Sequence, residues 1–412
     1  MKDGDKIVIS MNATNAIYAI GAFILLIGLM VPEGATYIWP IFGGFLWRYY
    51  RWLTCIIVVF LYALTRYRFT INKLYVLQLI FFSYILFITL MRKASLREYL
   101  TNYLPILCSI LLLELFSFHL DVYFKTVFVY LLVLAVFNLI FITLYPDGMY
   151  TSISVLGYTK NWLLGYKSSF QVYLYPLFIF SLLNLSYGKW KFVSWFSVLV
   201  IYIQTFIAGN MMLLVVISVI AVISLTKIGR ISWIYNPVLD VIVFAFLNVF
   251  IVSFRFLNIS YVYNFLTEVL GKSTTLSGRD YVWANTLLKI SDNLIFGYGK
   301  VASVTRQSEL RGLPHAHNQF LECIYQGGIV GLIIFCLVLF FAMNCIYKNS
   351  YLSSSRILGL SVLGILLMGI VEITMHRNDG MIWVLISLCA FTSHIDEVFK
   401  GDLQILTDEI YA

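Results

Sequence analysis

The stretch from Gly327 to Ile346 reads GGIVGLIIFCLVLFFAMNCI and contains twenty residues without a charge. A helix needs about 20 predominantly apolar residues to cross the hydrocarbon core of a bilayer. Inside lipid the backbone must satisfy its own hydrogen bonds, so a single apolar span of this kind has to be helical. This stretch therefore predicts a chain built from membrane-spanning helices.

The composition of the whole chain supports that prediction. Of its 412 residues, 61% are hydrophobic and 12% are charged, whereas a soluble domain averages about 45–50% apolar and about 25% charged residues. The polar surface is too small for a water-soluble protein, which excludes a soluble enzyme, a disordered protein and a nucleic-acid module. The six cysteines form no CxxC pair, so neither a disulfide framework nor a zinc site is expected.

Apolar stretches recur along the chain and predict an all-α integral membrane protein with about 12 transmembrane helices. One large external loop containing short helices completes the expected fold. The predicted spans are 14–31, 52–65, 74–91, 104–120, 127–145, 170–186, 192–208, 210–226, 237–254, 327–346, 357–375 and 381–395. The shorter apolar segment 37–47 is either interfacial or a thirteenth element.

These spans divide the chain into four parts. An N-terminal bundle of about nine helices covers 1–255, the external loop covers 256–326, three further helices cover 327–395, and a tail covers 396–412. An even number of spans leaves both termini on one side of the membrane.

The positive charges in the short loops predict which side that is. Lys and Arg are more frequent in the loops that share a side with the termini, so both termini are expected in the cytoplasm. The cluster of Arg92, Lys93 and Arg97 runs against this rule. Either the third span is misplaced, or these residues have an external role. The net charge of +8 is interpreted mainly as this orientation signal, and no nucleic-acid partner is expected.

The external loop is the one long polar stretch of the sequence, and long loops are uncommon unless they are functional. Ser277 followed by Asp280 predicts a capped helix N-terminus, with Arg279 in its first turn. A helix N-terminus combined with a guanidinium is a good phosphate site, although Arg279 is equally interpretable as an ordinary exposed arginine.

A second helix is predicted over 319–326, with Asn318 as its N-cap and Gly327–Gly328 as its end. His315 and His317 precede it, two residues apart. A metal normally needs three or four ligands, and no further His or Cys cluster lies nearby in the sequence, so no metal is expected. Glu322 either faces water or acts as a base.

A carboxylate within a predicted span is a functional hypothesis by default, because burying a charge in lipid is costly. Glu372 is such a residue, near the outer end of its span. His376 lies four residues further on the same helical face, and Arg377 follows it. We expect these three side chains to open towards the external loop.

Four short fragments follow one another in this region: SGRDYVW at 277–283, FGYG at 296–299, HNQFL at 317–321 and GIVG at 328–331. In this order and spacing they resemble the O-antigen ligase and Wzy-type O-antigen polymerase superfamily of bacterial membrane proteins. The resemblance covers roughly 277–331, and outside that range only the hydropathy pattern agrees.

The resemblance implies a metal-independent glycosyltransferase without a cofactor. Such proteins transfer glycans from undecaprenyl diphosphate on the outer face of the cytoplasmic membrane. It implies that Arg279 holds the diphosphate and that His317 lies at the reacting end. Ligases commonly carry an arginine at the outer start of a mid-chain helix, where this sequence has Ala208–Met211 without one. That departure favours a polymerase, in which Lys167 supplies a cation instead.

The expected function is a repeat-unit polymerase for a polysaccharide, whether O-antigen, capsule or exopolysaccharide. It would move the growing glycan onto an incoming lipid-linked repeat unit. A ligase that moves finished glycan to lipid A-core is one alternative, and a lipid-linked oligosaccharide flippase or other transporter is another. Expected partners are the lipid-linked oligosaccharide, the bilayer, and a chain-length regulator and flippase of the same pathway.

The candidate catalytic residues are His317, Arg279 and Glu322. A second group is predicted to bind the diphosphate or glycan. Its members are Arg306, Arg311, His315, Asn318, Lys167, Arg377, His376 and Glu372.

Overall fold

A computed structural model describes residues 3–65, 72–154, 157–257, 279–310, 313–374 and 378–400. This part of the chain is mostly helical and contains one small sheet. The helices are α1 (Asp3–Leu29), α2 (Ala35–Ile38), α3 (Pro40–Phe45), α4 (Arg51–Thr65), α5 (Lys73–Met91), α6 (Leu96–Leu115), α7 (Leu120–Leu144), α8 (Gln171–Ser186), α9 (Lys191–Ile207), α10 (Met211–Leu225), α11 (Pro237–Leu257), α12 (Arg279–Asp292), α13 (Ser303–Glu309), α14 (Gln319–Lys348), α15 (Ser353–Gly369) and α16 (Gly380–Leu388).

Seven stretches of described helix are long and apolar enough to cross a membrane. They are Pro40–Thr65, Lys73–Met91, Leu96–Leu115, Ser117–Leu144, Lys167–Ser186, Gln319–Lys348 and Gly380–Lys400. Five further apolar helices have between 10 and 17 residues. Every predicted span overlaps one of these helices, so the prediction of a helical membrane protein is confirmed, while the count of twelve crossings stays a prediction. The helix in the predicted span 357–375 ends at Gly369, so Glu372 was wrongly placed within a helix and lies in the segment after it. The segment 37–47 leads into α4 through α3 and a π-helical turn.

The connections between helices meet at one end of the bundle. Gly34, after α1, donates its N–H to Leu163 O over 2.8 Å, and Ser95, before α6, donates to Lys300 O over 2.9 Å. Asn318 donates through Nδ2 to Ile370 O over 2.8 Å, which ties the start of α14 to the end of α15. A chain that crosses a membrane repeatedly gathers alternate connections on one side in this way.

A three-stranded antiparallel sheet lies at this end, and the sequence analysis did not predict it. β1 (Tyr150–Ser154) pairs with β2 (Gly157–Trp162), and β2 pairs with the two-residue β3 (Gly165–Tyr166). The strands are too short for an alternating pattern to stand out from the apolar helices around them. The sheet delivers the chain to the start of α8, next to the polar cavity described below.

Helix α14 is kinked at Gly328, where φ is 63° and ψ is −164°. Glycine is required there because φ is positive and because a Cβ would overlap the carbonyl of Ile295. The predicted N-cap and break are both confirmed: Asn318 Oδ1 accepts from Leu321 N over 2.9 Å, and the helix bends at the glycine pair. The segment 293–299 docks against this kink.

Arg92 shows why a positive charge lies on the expected outer side. Its Nε donates to Gly297 O over 3.2 Å, and its Nη2 donates to Asn293 Oδ1 over 2.6 Å. The end of α5 is thereby fixed to the segment that follows α12. Of the two explanations given above, the external role is the one that these contacts support.

Candidate functional site

A polar cavity of about 770 Å³ opens where the connections meet. Its lining is rich in carboxylates, hydroxyls and imidazoles. The lining residues are Glu33, Ser95, Arg97, Glu98, Thr101, Asn102, Ser168, Ser169, Gln171, Val172, Ala302, Ser303, His315, His317, Glu372, Ile373, Asn378 and Asp379. A cavity of this size and polarity suits a sugar.

Glu372 is the centre of a charged cluster at the edge of this cavity. Its Oε1 lies 3.2 Å from His317 Nδ1 and 3.9 Å from His315 Nε2. Its Oε2 lies 3.9 Å from Arg279 Nη2. Three separate segments of the chain, at 279, 315–317 and 372, thus contribute to one site. All four were candidate site residues, and Glu372 was expected to open towards the external loop; its direct contact with Arg279 and His317 was not predicted.

The loop that carries the two histidines is shaped by backbone hydrogen bonds. His317 has a φ of 49°, which is uncommon for a residue other than glycine. His317 N donates to His315 Nδ1 over 3.2 Å, and Ala316 N donates to Glu322 Oε2 over 3.0 Å. These bonds define the direction in which the His317 side chain leaves the loop.

The electrostatics of the cluster favour an ionised carboxylate at Glu372. Burial raises the pKa of Glu372, but the charges of His317, His315 and Arg279 outweigh that effect and hold the pKa well below its usual range. Burial also raises the pKa of Tyr166, whose hydroxyl responds to the charges of Arg279 and Glu372. The tyrosine therefore lies beside the same ion pair.

The donor atoms of His315, His317 and Glu372 lie within 4.8 Å of one another. The structure thus adds a third donor to the two histidines seen in the sequence, which is the smallest set that holds a metal. The guanidinium of Arg279 on the same carboxylate would repel a cation. This arrangement suits proton transfer better than metal binding, and the absence of a metal stays a prediction.

Glu322 and Arg306 form a buried ion pair away from the cavity lining. Arg306 Nη2 donates to Glu322 Oε2 over 3.1 Å, with both side chains 3% exposed. The guanidinium lies 3.4 Å from the centre of the Tyr325 ring, and Gln326 Nε2 donates to Glu322 Oε1 over 2.7 Å. The pair braces the histidine loop through Ala316, so its position favours a structural role over the expected contact with substrate.

Lys167 lies where the sequence analysis looked for a cation. A Cβ built on Gly209 would be 4.0 Å from Lys167 Nζ, and Asn210 Nδ2 donates to Lys167 O over 2.6 Å. The lysine therefore stands beside the helix start that lacks an arginine, and Ser168 and Ser169 next to it line the polar cavity.

The remaining predicted residues divide into two sets. Asn318 is buried and bonds Asn248 Oδ1 over 2.9 Å as well as Ile370 O, so it holds the loop rather than lining the polar cavity. Arg311, His376 and Arg377 lie outside the described residues.

The structure also brings residues to the site that the sequence analysis missed. Glu33, Glu98 and Asp379 line the cavity from three different elements, and no spacing in the sequence connects them. Lys300 follows the FGYG fragment and lies 5.2 Å from the centre of the Tyr103 ring. Burial lowers the pKa of Lys300, and its position after a predicted turn was the one signal that could have drawn attention to it.

An apolar groove of about 370 Å³ runs between α11 and α14. Phe244, Ala245 and Val249 form one wall, and Leu321 and Cys336 belong to the other. Asn248 and Asn318 also line it. Because Asn318 follows His317 directly, the groove and the polar cavity lie on the two sides of one loop.

Residues 161–336 match a family model described as O-antigen ligase. The matched region is less than half of the chain and contains Lys167, Arg279 and His317. No curated protein matches the chain. The match supports a relation to the O-antigen ligase and polymerase superfamily of membrane glycosyltransferases, and it does not distinguish a polymerase from a ligase.

Proposed function

We propose that the protein is a polysaccharide repeat-unit polymerase of the bacterial cytoplasmic membrane. It transfers the growing glycan from undecaprenyl diphosphate onto an incoming lipid-linked repeat unit at the outer face. The observation that carries this proposal is the cluster of Arg279, His317 and Glu372 at the edge of a polar cavity, with an apolar groove beyond the same loop.

The reaction requires cations for the diphosphate, which is bound first and then departs. Arg279 is the first described residue of α12, and in the proposed reaction its guanidinium acts together with the N–H groups of the helix N-terminus. Lys167 supplies a second cation near α10. Hydrogen bonds to charged groups contribute about 1.5–3 kcal/mol each, and such contacts strengthen as negative charge develops on the leaving diphosphate.

The reaction also requires a base at the acceptor hydroxyl, and His317 is suited to that role. The acceptor oxygen forms a bond to the anomeric carbon while the bond from that carbon to the diphosphate oxygen breaks. Nε2 of His317 takes the hydroxyl proton, and undecaprenyl diphosphate leaves with the bonding electrons. Nδ1 stays beside Glu372, 3.2 Å from its Oε1.

The lipid part of the donor requires an apolar surface beside the polar cavity. The groove between α11 and α14 is lined almost entirely by apolar side chains and has Asn318 next to His317. We propose that the polyprenyl chain lies there, with the diphosphate between the groove and the cavity.

The choice of a polymerase rests on the missing arginine at Ala208–Met211 and on Lys167 beside it. The description of the matching family favours a ligase to lipid A-core as the second candidate. A chain-length regulator and a flippase are the proposed partners in either case, with both termini in the cytoplasm.

An in vitro assay separates these candidates. The protein is purified in detergent and supplied with the undecaprenyl-diphosphate-linked repeat unit of its host and a chelator. A ladder of repeat-unit multiples supports the metal-independent polymerase. Product that forms only after lipid A-core is added supports the ligase instead. If no product forms under either condition, the result contradicts transferase activity and favours transport.

A further inference from the structure

We infer that Glu372 is a positioning residue for His317: it holds the proton on Nδ1 and leaves Nε2 for the acceptor hydroxyl. The inference rests on the proposed function and deepens it. Glu372 was expected to bind substrate, whereas its contacts in the structure are with the side chains that would act on the substrate.

The nitrogen atoms of the two histidines are assigned by their contacts. His317 Nδ1 lies 3.2 Å from Glu372 Oε1, which is within ion-pair distance but lacks the alignment of a hydrogen bond. A turn of the imidazole would aim a proton on Nδ1 at that oxygen. His315 Nδ1 accepts from the backbone N–H of His317, so its own proton belongs on Nε2, which lies 3.9 Å from the same oxygen. Both imidazoles thus lie beside one carboxylate oxygen.

The segment that carries Glu372 is fixed to the start of α14. Thr374 donates to Gln319 Oε1 through its N–H over 2.7 Å and through Oγ1 over 3.1 Å. Asn318 Nδ2 donates to the carbonyl of Ile370 over 2.8 Å. These bonds join residues on both sides of Glu372 to Asn318 and Gln319, which directly follow His317, so they limit how far Glu372 and His317 can move apart.

Glu372 is 6% exposed, and its surroundings are positively charged. The charged and titratable groups that face it are His315 and His317 from the loop, Arg279 from α12 and Tyr166 from β3. The guanidinium of Arg279 can only donate hydrogen bonds, so it does not accept the proton on Nδ1. The ionised carboxylate of Glu372 is the acceptor in this set.

The chemical consequence follows from the charge that develops during transfer. When Nε2 accepts the hydroxyl proton, His317 becomes an imidazolium cation 3.2 Å from a fixed carboxylate. A buried carboxylate in that position keeps the correct tautomer and stabilises the cation. Glutamine at 372 keeps the shape and one acceptor oxygen but removes the negative charge.

The test compares wild type, Glu372→Gln, Glu372→Asp and the control Asp121→Asn. Asp121 lies at the start of α7, lines neither the cavity nor the groove, and pairs with Lys125 over 3.9 Å. In the transfer assay we expect E372Q to lower kcat by about a hundredfold with less than a threefold change in KM for the donor. E372D should recover part of kcat. An effect on KM alone would contradict a positioning role.

A second readout does not require activity. Diethyl pyrocarbonate acylates unprotonated imidazole, and mass spectrometry gives the rate at His317 as a function of pH. Glutamine removes the negative charge 3.2 Å from Nδ1, so the midpoint of this rate profile should differ between E372Q and wild type. The exposed His394 beside Glu397 serves as the internal reference. An unchanged midpoint in a folded E372Q overturns the inference.

The two readouts separate the failure of this inference from the failure of the proposed function. If wild type forms no glycan product but the His317 midpoint moves in E372Q, Glu372 controls the histidine and the proposed reaction is wrong. If product forms and neither kcat nor the midpoint responds to E372Q, the reaction stands and the positioning role is wrong. A melting curve in detergent establishes that each variant is folded.

Discussion

Arg279 is the residue with the most direct relation to the proposed diphosphate. It is the first described residue of α12, its side chain is about one-third exposed, and its guanidinium lies 3.9 Å from Glu372. A fully buried arginine would have its hydrogen bonds taken up by the ion pair. A fully exposed arginine would not be held in place for a phosphate. This intermediate placement lets one guanidinium contact the carboxylate and an incoming phosphate together.

Replacing Arg279 by alanine should abolish long glycans while leaving the amount of protein in the membrane unchanged. The lost charge-assisted contacts correspond to about a ten- to a hundredfold slower turnover. Arg279→Lys is the matched variant: it keeps the charge but loses the planar fork, so it should recover a minor part of the activity. Chain length on a gel is the measurement, and a wild-type ladder from R279A would rule out this assignment.

Glu322 provides a different residue-scale prediction, because its partner Arg306 is equally buried. Glu322→Gln removes the buried countercharge 3.1 Å from Arg306 and leaves it with Glu309, 3.7 Å away; breaking a buried ion pair typically costs about 3–5 kcal/mol. We expect a lower melting temperature in detergent and less protein in the membrane. Glu98→Gln, at the cavity, should change neither by a comparable amount. A stable E322Q protein that has lost all transfer activity would instead support the catalytic role expected from the sequence.

The pKa of Glu372 predicts how stability depends on pH. Because the folded-state pKa lies below the usual value, the unfolded chain binds the proton more readily as the pH falls. The carboxylate therefore contributes stability above its ordinary pKa, and this contribution is lost progressively as the pH falls towards the folded value. E372Q should show a shallower loss of melting temperature below about pH 4.5 than wild type, and parallel curves would contradict this.

At the scale of elements, the sequence predicted the features that a residue determines within its own helix, such as a start or a kink. Asn318 and Gly328 predicted the start and the kink of α14, and both are confirmed. Arg279 was expected in a first turn and is the first described residue of α12, while its predicted cap, Ser277, lies outside the described residues. Glu372 was expected to open towards the external loop, but its pairing with His317 was not predicted, because the two residues are 55 apart and no spacing joins them. The short sheet at 150–166 was missed because its strands have no period long enough to detect.

The groove between α11 and α14 is the proposed site for the lipid chain, and filling it tests that proposal. Ala245→Trp should fill the groove, since Ala245 lines it, and should raise KM for the undecaprenyl donor by about tenfold. Ile242→Trp is the control, because Ile242 is exposed on the same helix and is absent from the groove lining. A donor with a short isoprenoid chain should react equally with both variants. Equal loss with the short donor would mean that the groove does not hold the lipid.

At the scale of the whole molecule, the six connections whose residues line the cavity or flank its lining lie at one end of the bundle. The turn that contains Trp233 joins α10 to α11 at the other end. Seven helices meet the length needed for a crossing and five are shorter, so length alone leaves the number of crossings open. The proposed reaction requires the cavity end to face outwards, because the lipid-linked substrates are used at the outer face. Sidedness is therefore a test of the function as well as of the fold.

Single cysteines on either end decide this question. Tyr158 on β2 is 80% exposed at the cavity end, and Trp233 is 60% exposed at the opposite end. In spheroplasts, a membrane-impermeant maleimide should label Tyr158→Cys directly and Trp233→Cys only after permeabilisation, in a background whose six native cysteines are replaced by serine or alanine. This outcome supports alternating spans with cytoplasmic termini. Labelling of Trp233→Cys from outside would place the cavity in the cytoplasm, where the proposed polymerase could not meet its substrate.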